Sequence, residues 1–296
     1  MAVAYGAHER DPAVSTLHGG ICMKSPFSVA PWFHVIVCSL VILCSAAQAA
    51  PDLAAVIAGE HRSAENRARD VWRHPAETLE FFGVRPDMTV VELWPGAGWY
   101  TEILAPYLRE NGLLYTAHFP RESEQEYYRR GRAAFEARLA AHPELYDRVK
   151  VTELAPPAGL EIAPAGSADA VLTFRNLHNW YGQGADVAVL KAAYTALKPG
   201  GVLGVVEHRA SAGATPEQMK KSGYLSEEAV IAAARAAGFE LEESSEINAN
   251  PRDTHDHPKG VWTLPPTLAL GDTDRARYLA IGESDRMTLR FRKPVR

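Results

Sequence analysis

Residues 90–104 read VVELWPGAGWYTEIL, and this stretch decides the fold. Its β-branched and apolar start predicts a short buried strand, and the residues after position 100 begin a helical pattern. Between them, Gly96 and Gly98 permit positive φ angles and let a ligand approach the backbone with no Cβ in the way. The free N–H groups at the start of the helix can bind a polar or anionic group. Glu92, near the strand end, can bind a ribose hydroxyl or an amine. These residues alone fit an ordinary strand–turn–helix equally well.

Two nucleotide-binding families use a glycine turn of this kind. A dinucleotide-binding turn has a third glycine where this chain has Thr101, so the match is poor. The stretch better resembles motif I of class I S-adenosylmethionine (SAM) methyltransferases, in which an acidic residue precedes three alternating glycines. Glu92, Gly96 and Gly98 match that motif, whereas Trp94 stands in the place of the first glycine. The resemblance implies that SAM is the cofactor and that its contacts come from one continuous stretch: Glu92, Trp94, Pro95, Gly96, Ala97, Gly98, Tyr100 and Thr101.

Length and composition fit one large globular domain. The chain has 296 residues, of which 47% are hydrophobic and 23% charged, and its formal net charge is −5. A chain of this length can bury a sizeable core. Because the charge is mildly negative and Lys and Arg are scattered, the composition argues against nucleic acid as a partner.

The first 49 residues have the order of a secretory signal peptide. Lys24 precedes a mostly apolar run at 29–43, and Ala47-Gln48-Ala49 follows as a cleavage pattern. The run is shorter than the roughly 20 residues that a spanning helix needs. We therefore expect an exported protein, periplasmic or secreted and not inserted in a membrane after cleavage, with Met23 as a possible true start. An uncleaved membrane anchor is the alternative. The three cysteines all precede the expected cleavage site.

The rest of the chain, residues 50–296, predicts a single domain of alternating strands and helices. A helical preamble at 51–83 comes before the first strand. Apolar runs predict further strands at 113–119, 149–154, 168–174, 202–208, 239–244 and 287–294, with helices at 101–108, 122–141, 186–197 and 224–237 between them. The passage Leu197-Lys198-Pro199-Gly200-Gly201 and the Ala-Ala-Gly-Phe passage at 236–239 are common in the methyltransferase family. The predicted fold is α/β: a Rossmann-like, doubly wound, seven-stranded sheet, mostly parallel with an antiparallel C-terminal strand.

His118 ends the second predicted strand. In class I methyltransferases an acidic residue at this place binds the ribose hydroxyls, so the resemblance gives His118 that role. A neutral imidazole can hydrogen-bond a hydroxyl. The alternative is that His118 only caps a strand.

A polar and aromatic cluster follows the fourth predicted strand. Ligands of open α/β sheets bind beyond the carboxyl ends of strands, so this cluster falls on the same edge as Gly96. His178 is the candidate general base, because imidazole titrates near neutral pH, and Asn176 joins it as a catalytic candidate. Arg175 can bind an acidic substrate. The candidate substrate contacts are Arg175, Asn179, Trp180 and Tyr181. A plain strand-end hydrogen bond is the alternative for His178.

A long loop is predicted at 248–285, and loops of this length are usually functional. It is expected to act as a substrate lid or as a structural cover. His255 and His257 lie in it, but no second ligand cluster accompanies them, so we expect no metal site.

The chain from about Leu53 to Pro294 resembles a family of predicted, exported bacterial class I SAM-dependent methyltransferases. The stretches ELWPGAGWYT, RNLHNWY and HPKGVWTLPP carry the resemblance. It implies methyl transfer from SAM to a small-molecule substrate whose identity, like the oligomeric state, the sequence leaves open. A non-catalytic small-molecule or SAM-binding protein with the same fold is the alternative, and a nicotinamide dehydrogenase fits less well.

Overall fold

The computed structural model describes residues 51–295. The predicted leader at 1–49 lies outside the described residues. Within them, no helix combines the length and apolar composition that a membrane crossing needs.

One sheet of seven strands forms the centre of the described chain. The strands in chain order are β1 (Thr89–Leu93), β2 (Leu113–His118), β3 (Lys150–Glu153), β4 (Ala168–Phe174), β5 (Leu197–His208), β6 (Glu240–Ser245) and β7 (Arg286–Arg292). Their spatial order is β3-β2-β1-β4-β5-β7-β6. The pairs from β3 to β5 are parallel, whereas β7 runs antiparallel to both β5 and β6. The predicted fold class is confirmed.

Helices cover both faces of this sheet. They are α1 (Leu53–Ala58), α2 (Ala64–Arg67), α3 (Asp70–Arg73), α4 (Pro75–Phe81), α5 (Thr101–Leu108), α6 (Glu126–Ala141), α7 (Pro143–Tyr146), α8 (Leu177–Gln183), α9 (Asp186–Ala196), α10 (Pro216–Ser222), α11 (Glu227–Ala236) and α12 (Arg275–Ile281), with a 3-10 helix at Gly260–Thr263. Because both faces are covered, the central strands carry nearly continuous apolar runs. Val90 packs with the preamble helices and α5, and the next residue, Val91, packs with α8, α9 and α11 on the opposite face.

Three element predictions need correction. The preamble before α4 is three short helices, α1 to α3, rather than one long helix. Helix α6 begins at Glu126, four residues later than the charged run beginning at Glu122 suggested, because 120–125 form turns after β2. The segment 248–285 is not a structureless loop, since it holds the 3-10 helix and α12.

The parallel register brings three strand ends to one edge of the sheet. Leu93 of β1 pairs with Thr173 of β4, and Phe174 pairs with Val206 of β5. The residues that follow these positions therefore lie side by side, although they are far apart in the sequence. This edge carries the candidate site.

Candidate active site

A cavity of about 450 Å³ opens at the carboxyl ends of β1, β4 and β5. The turn after β1 and the loop after β4 form its floor, the preamble forms one wall, and the segment 248–285 covers it. The sequence-predicted residues in its lining are Glu92, Trp94, Pro95, Gly96, Ala97, Tyr100, Arg175, Asn176, His178 and Asn179. Most of the predicted site therefore comes together in space.

The turn after β1 presents bare backbone to this cavity. Gly96 has a φ of +59°, and a Cβ built on it would meet nothing within 4 Å. Gly98 has a φ of +86° and serves packing instead, because a Cβ there would lie 3.1 Å from the Phe135 ring of α6. Tyr100 stacks on Phe174 with 3.5 Å between ring centroids, and this pair forms the side of the cavity next to the turn.

Trp94 keeps the glycine-like backbone of the motif without being glycine. Its φ is +43°, in the left-handed region that costs an ordinary residue about 1–2 kcal/mol. The indole extends into the core, where Nε1 donates to the Leu154 carbonyl at 2.9 Å and the ring packs against Phe119 and Trp180. Burial of so large a ring offsets the backbone cost. The substitution therefore does not fill the cavity.

Glu92 is a buried acid beside the turn. Thr101 is also buried, and its hydroxyl donates to Glu92 Oε2 at 2.7 Å. Burial raises the pKa of Glu92 to about 7, although the Thr101 hydrogen bond acts in the opposite direction. Thr101 thus lies behind Glu92 and supports it, and it does not line the cavity.

His118 lies outside the cavity lining, and both of its ring nitrogens are already used. Nδ1 accepts from the Phe119 N–H at 2.7 Å, so Nε2 carries the proton and donates to the Gly96 carbonyl at 3.0 Å. Burial lowers the pKa of His118 to about 4. No ring atom is left for a ribose hydroxyl, so this residue fixes the glycine turn from behind.

The loop after β4 is tied to β1 by a side-chain amide. Asn176 Nδ2 donates to the carbonyls of Leu93 at 3.0 Å and Trp94 at 3.2 Å. Trp180 is fully buried against Trp94, and Tyr181 packs on the same core cluster. Neither Trp180 nor Tyr181 lines the cavity, because α8 begins at Leu177 and turns both side chains away from it. We therefore leave Trp180 and Tyr181 out of the proposed site.

His178 is paired with a carboxylate that the sequence analysis missed. Its Nδ1 lies 2.9 Å from Glu207 Oε1, and Glu207 also accepts from the backbone N–H groups of His178 and His208. These three donors fix the carboxylate and place the imidazole proton on Nδ1. Nε2 then keeps a lone pair and has no hydrogen-bond partner among residues 51–295. The geometry is that of an oriented general base.

Two histidines and a glutamate are also the residue types that bind metal ions. His178, Glu207 and His208 each offer a ligand atom, and these atoms lie within 4.8 Å of one another. Glu207, however, already accepts three N–H donors through its two oxygens. Burial lowers the pKa of His208 well below its usual range, and the positive charges of Arg286 and Arg175 add to that effect. The occupied carboxylate and the nearby positive charges therefore disfavour a bound cation.

The segment 248–285 covers the cavity with its 3-10 helix. The Trp262 ring lies edge-on to His178, with 5.9 Å between centroids. His255 and His257 are held inside this segment by carboxylates: His255 Nε2 lies 3.2 Å from Asp285, and His257 Nε2 lies 2.8 Å from Asp253. The lid role stays a prediction.

A second cavity of about 820 Å³ adjoins the first across the glycine turn. Gly96 and Ala97 line both cavities, as does Tyr127 of α6. The second cavity has an aromatic lining, with Phe119 and Phe135. An elongated ligand with one polar end and one flat apolar end fits the two cavities together.

Comparison with solved structures identifies the architecture. No family model matches the sequence, and no curated protein matches it. A SAM-dependent methyltransferase from Aquifex aeolicus is 16% identical, with 82% of this chain and 99% of that chain covered and a TM-score of 0.50. A putative sarcosine dimethylglycine methyltransferase from Galdieria sulphuraria is 15% identical, with 78% and 87% covered and a TM-score of 0.53. The fold is the class I methyltransferase fold. The cyclase SpnF shares it at 19% identity, with 80% and 85% covered and a TM-score of 0.51.

Five residues in or beside the cavity were not predicted from the sequence. Glu207 and His208 end β5, and the strand-end rule that found Arg175 would have found them too. Arg69 and Arg73 lie in the preamble and Arg286 begins β7, and all three line the cavity. A charged helical run gives no indication of which arginine turns inward, so Arg69 and Arg73 could be found only in the structure. Arg286 begins an antiparallel strand, and the rule for the carboxyl ends of parallel strands does not reach it.

Proposed function

We propose that the protein is a SAM-dependent methyltransferase acting on a small-molecule acceptor. The observation that carries the proposal is the cavity at the ends of β1, β4 and β5, where an open glycine turn and an oriented histidine face the same space. When bound, SAM supplies an electrophilic methyl group on a sulfonium.

The residues present fit such a cofactor. Gly96 leaves room for close backbone contact, and Glu92 can accept a hydrogen bond from an ammonium group or a hydroxyl. The aromatic second cavity, with Phe119 and Phe135, suits an adenine ring. The usual ribose carboxylate after β2 is replaced by His118, but Glu126 of α6 lines this second cavity and is a candidate substitute.

His178 has the position and orientation of the general base. Glu207 holds the imidazole so that Nε2 can take a proton from the acceptor, and the Trp262 ring lies edge-on to His178. Methyl transfer depends mainly on alignment of the reacting groups in a desolvated site. The base would therefore add to the rate that alignment of the acceptor and the methyl group provides.

A second candidate is a SAM or small-molecule binder that shares the fold without methyl transfer. The observation that favours it is the engagement of both His118 nitrogens, which leaves no ribose contact at the end of β2. The SpnF comparison also shows that this fold occurs in a protein named as a cyclase.

Calorimetric titration with SAM tests the cofactor. We expect Gly96→Val to weaken binding at least tenfold, about 1.4 kcal/mol, because its side chain would project into the cavity. Gly166→Val is the matched control: Gly166 has a similar φ of +63° and equally open surroundings, but it lies outside both cavities. Equal SAM affinity in wild type and a folded Gly96→Val variant would refute the cofactor site.

Formation of S-adenosylhomocysteine, with candidate acceptors or by slow hydrolysis, tests the base. We expect His178→Gln to keep SAM affinity and to lower kcat about 100-fold, within the usual range for general bases. The exposed His142→Gln serves as control. If His178→Gln turns over at the wild-type rate, His178 is a structural strand-end residue. SAM binding with no turnover in the wild type would favour the non-catalytic candidate.

A further inference from the structure

Four arginines converge on the preamble side of the cavity. Arg69 and Arg73 come from the preamble, Arg175 follows β4, and Arg286 begins β7. Arg69 and Arg286 are more than 200 residues apart in the sequence, so it is the fold that brings the four side chains together. Guanidinium groups stay protonated in proteins, and this wall of the cavity is therefore strongly cationic.

One carboxylate serves three of these arginines. Glu283 is buried and pairs with Arg69 Nε at 2.7 Å, with Arg73 Nε at 3.1 Å and with Arg286 Nη2. The charges of the surrounding arginines hold the pKa of Glu283 well below its usual range against the effect of burial. A single anion cannot neutralise this many cations, so the cluster keeps a positive excess.

Arg175 is the arginine left without a partner. Among residues 51–295 its side chain makes no hydrogen bond and no ion pair, although its backbone N–H donates to the Val206 carbonyl at 2.7 Å. Behind it, Arg73 is 2% exposed and its Nη1 is buried with no hydrogen-bond partner. Burial and the neighbouring Arg286 lower the pKa of Arg175 to about 10, which still leaves it charged at neutral pH.

Arg175 is partly buried and adds an unpaired charge beside the buried Arg73 and Arg286, and such an arrangement fits a site that an anion completes. Bound SAM does not supply the missing charge, because its sulfonium and ammonium outweigh its one carboxylate. The Glu92 carboxyl is bonded to Thr101, and that of Glu207 to His178 and the His208 N–H, and neither pairs with an arginine of the cluster. Even with Glu92, Glu207 and Glu283 all ionised, the four arginines still leave one positive charge.

We propose that the methyl acceptor carries an oxyanion group, a carboxylate or a phosphate, which Arg175 binds beside His178. The proposal rests on the proposed function for its methyl transfer and on the arginine cluster for its charge. Arg175 lies between β4 and α8, and His178 follows three residues later in the first turn of α8; both line the cavity, so an acceptor held by the guanidinium would place its neighbouring atoms at the base. Bidentate binding by guanidinium suits carboxylates and phosphates alike.

Thermal-shift and calorimetric titrations of the full protein at constant ionic strength test this inference. The probes are inorganic phosphate and malonate, each with and without saturating SAM, and the variants are Arg175→Gln and the exposed control Arg85→Gln. We expect one of the two probes to bind wild type and Arg85→Gln alike and to bind Arg175→Gln at least tenfold more weakly. The preferred probe separates phosphate from carboxylate acceptors. Without anion, Arg175→Gln should melt higher than wild type, because an unpaired like charge has been removed.

The outcomes separate this inference from the proposed function. Anion binding that depends on Arg175 and persists in saturating SAM supports the acceptor site. Anion binding that SAM displaces one for one overturns it, since the arginines would then bind the cofactor's own carboxylate. Anion binding that is equal in wild type and Arg175→Gln also overturns it, even if SAM binds normally. Failure of SAM to bind, with Arg175-dependent phosphate binding intact, refutes the methyltransferase alone.

Discussion

Glu92 and His118 are buried ionisable groups on neighbouring strands, and burial shifts their pKa values in opposite directions. The pKa of Glu92 rises from its ordinary 4.5 to about 7, and that of His118 falls from 6.5 to about 4. Between pH 4.5 and 7 the unfolded chain has released the Glu92 proton while the folded chain keeps it, so the free energy of unfolding falls as pH rises. Between pH 4 and 6.5 the unfolded chain binds a proton at His118 while the folded chain does not, so the free energy of unfolding rises with pH.

These two effects oppose each other, and removing one should expose the other. We expect Glu92→Gln to gain stability relative to wild type as pH rises from 5 to 7, by about 2 kcal/mol over that interval. Its own free energy of unfolding should rise more steeply with pH below 6.5, because the His118 effect is then unopposed. Urea denaturation at several pH values measures both slopes. The exposed Glu124→Gln is the control, and parallel pH profiles for Glu92→Gln and wild type would show that Glu92 titrates normally.

At the residue scale, the sequence identified backbone positions better than side-chain directions. Gly96 was predictable because an open positive-φ turn needs glycine. The direction of the Trp94 indole was not, since a left-handed φ sends the side chain to the opposite side from an extended one. His118 was matched to a ribose role by its position alone, and its partners, Phe119 N–H and the Gly96 carbonyl, become visible only in three dimensions.

At the scale of elements, the cover over the cavity is held by one buried carboxylate. Asp253 accepts from the Tyr224 hydroxyl at 2.9 Å, from the His255 N–H at 2.9 Å, from His257 Nε2 at 2.8 Å and from the Asp285 N–H at 2.8 Å. These bonds connect the cover to the chain before α11 and to the start of β7. A charged acceptor with several donors is among the stronger polar interactions in a protein.

We expect Asp253→Asn to loosen this cover. An amide presents an NH₂ group on one side, so some of the four donors would face another donor, at a cost of about 2–4 kcal/mol. Hydrogen exchange of the amides at 254–268 should accelerate, and the melting temperature should fall. The control is Asp256→Asn in the same segment, since Asp256 is exposed and its side chain bonds only Thr254. Unchanged exchange at 254–268 in Asp253→Asn would mean that packing of Val261 and Leu264, and not the carboxylate, holds the cover.

The regular elements were the predictable part of the fold. The apolar strands β1, β4 and β5 could be located because a sheet covered on both faces needs continuous apolar runs. The preamble was predicted as helical but not as three short helices, because its breaks depend on side-chain contacts between one short helix and the next, such as the pairing of buried Arg62 with Asp70. The 3-10 helix and α12 in the cover lack apolar periodicity, so the sequence predicted only a loop there.

At the scale of the whole molecule, charge is unevenly distributed. The chain carries a formal net charge of −5, yet the cavity wall holds four arginines around Glu283. A cationic cleft in a mildly acidic protein focuses its field on the cavity mouth and discourages nonspecific binding of anions elsewhere on the surface. This distribution suits a small anionic ligand better than a polyanion such as nucleic acid.

We propose that the protein is exported and that its leader is cleaved after Ala49. The order of Lys24, an apolar run at 29–43 and Ala47-Gln48-Ala49 supports it. Protein recovered from the cell envelope or medium should begin at Ala50. All three cysteines, at 22, 38 and 44, would be lost with the leader, so treatment with a maleimide should leave the mature mass unchanged. Replacing Ala49 with Gln should block cleavage, and this variant should then gain maleimide adducts. An intact leader on wild-type protein in the soluble cytoplasmic fraction would contradict export, and an intact leader in the membrane fraction would indicate an anchor.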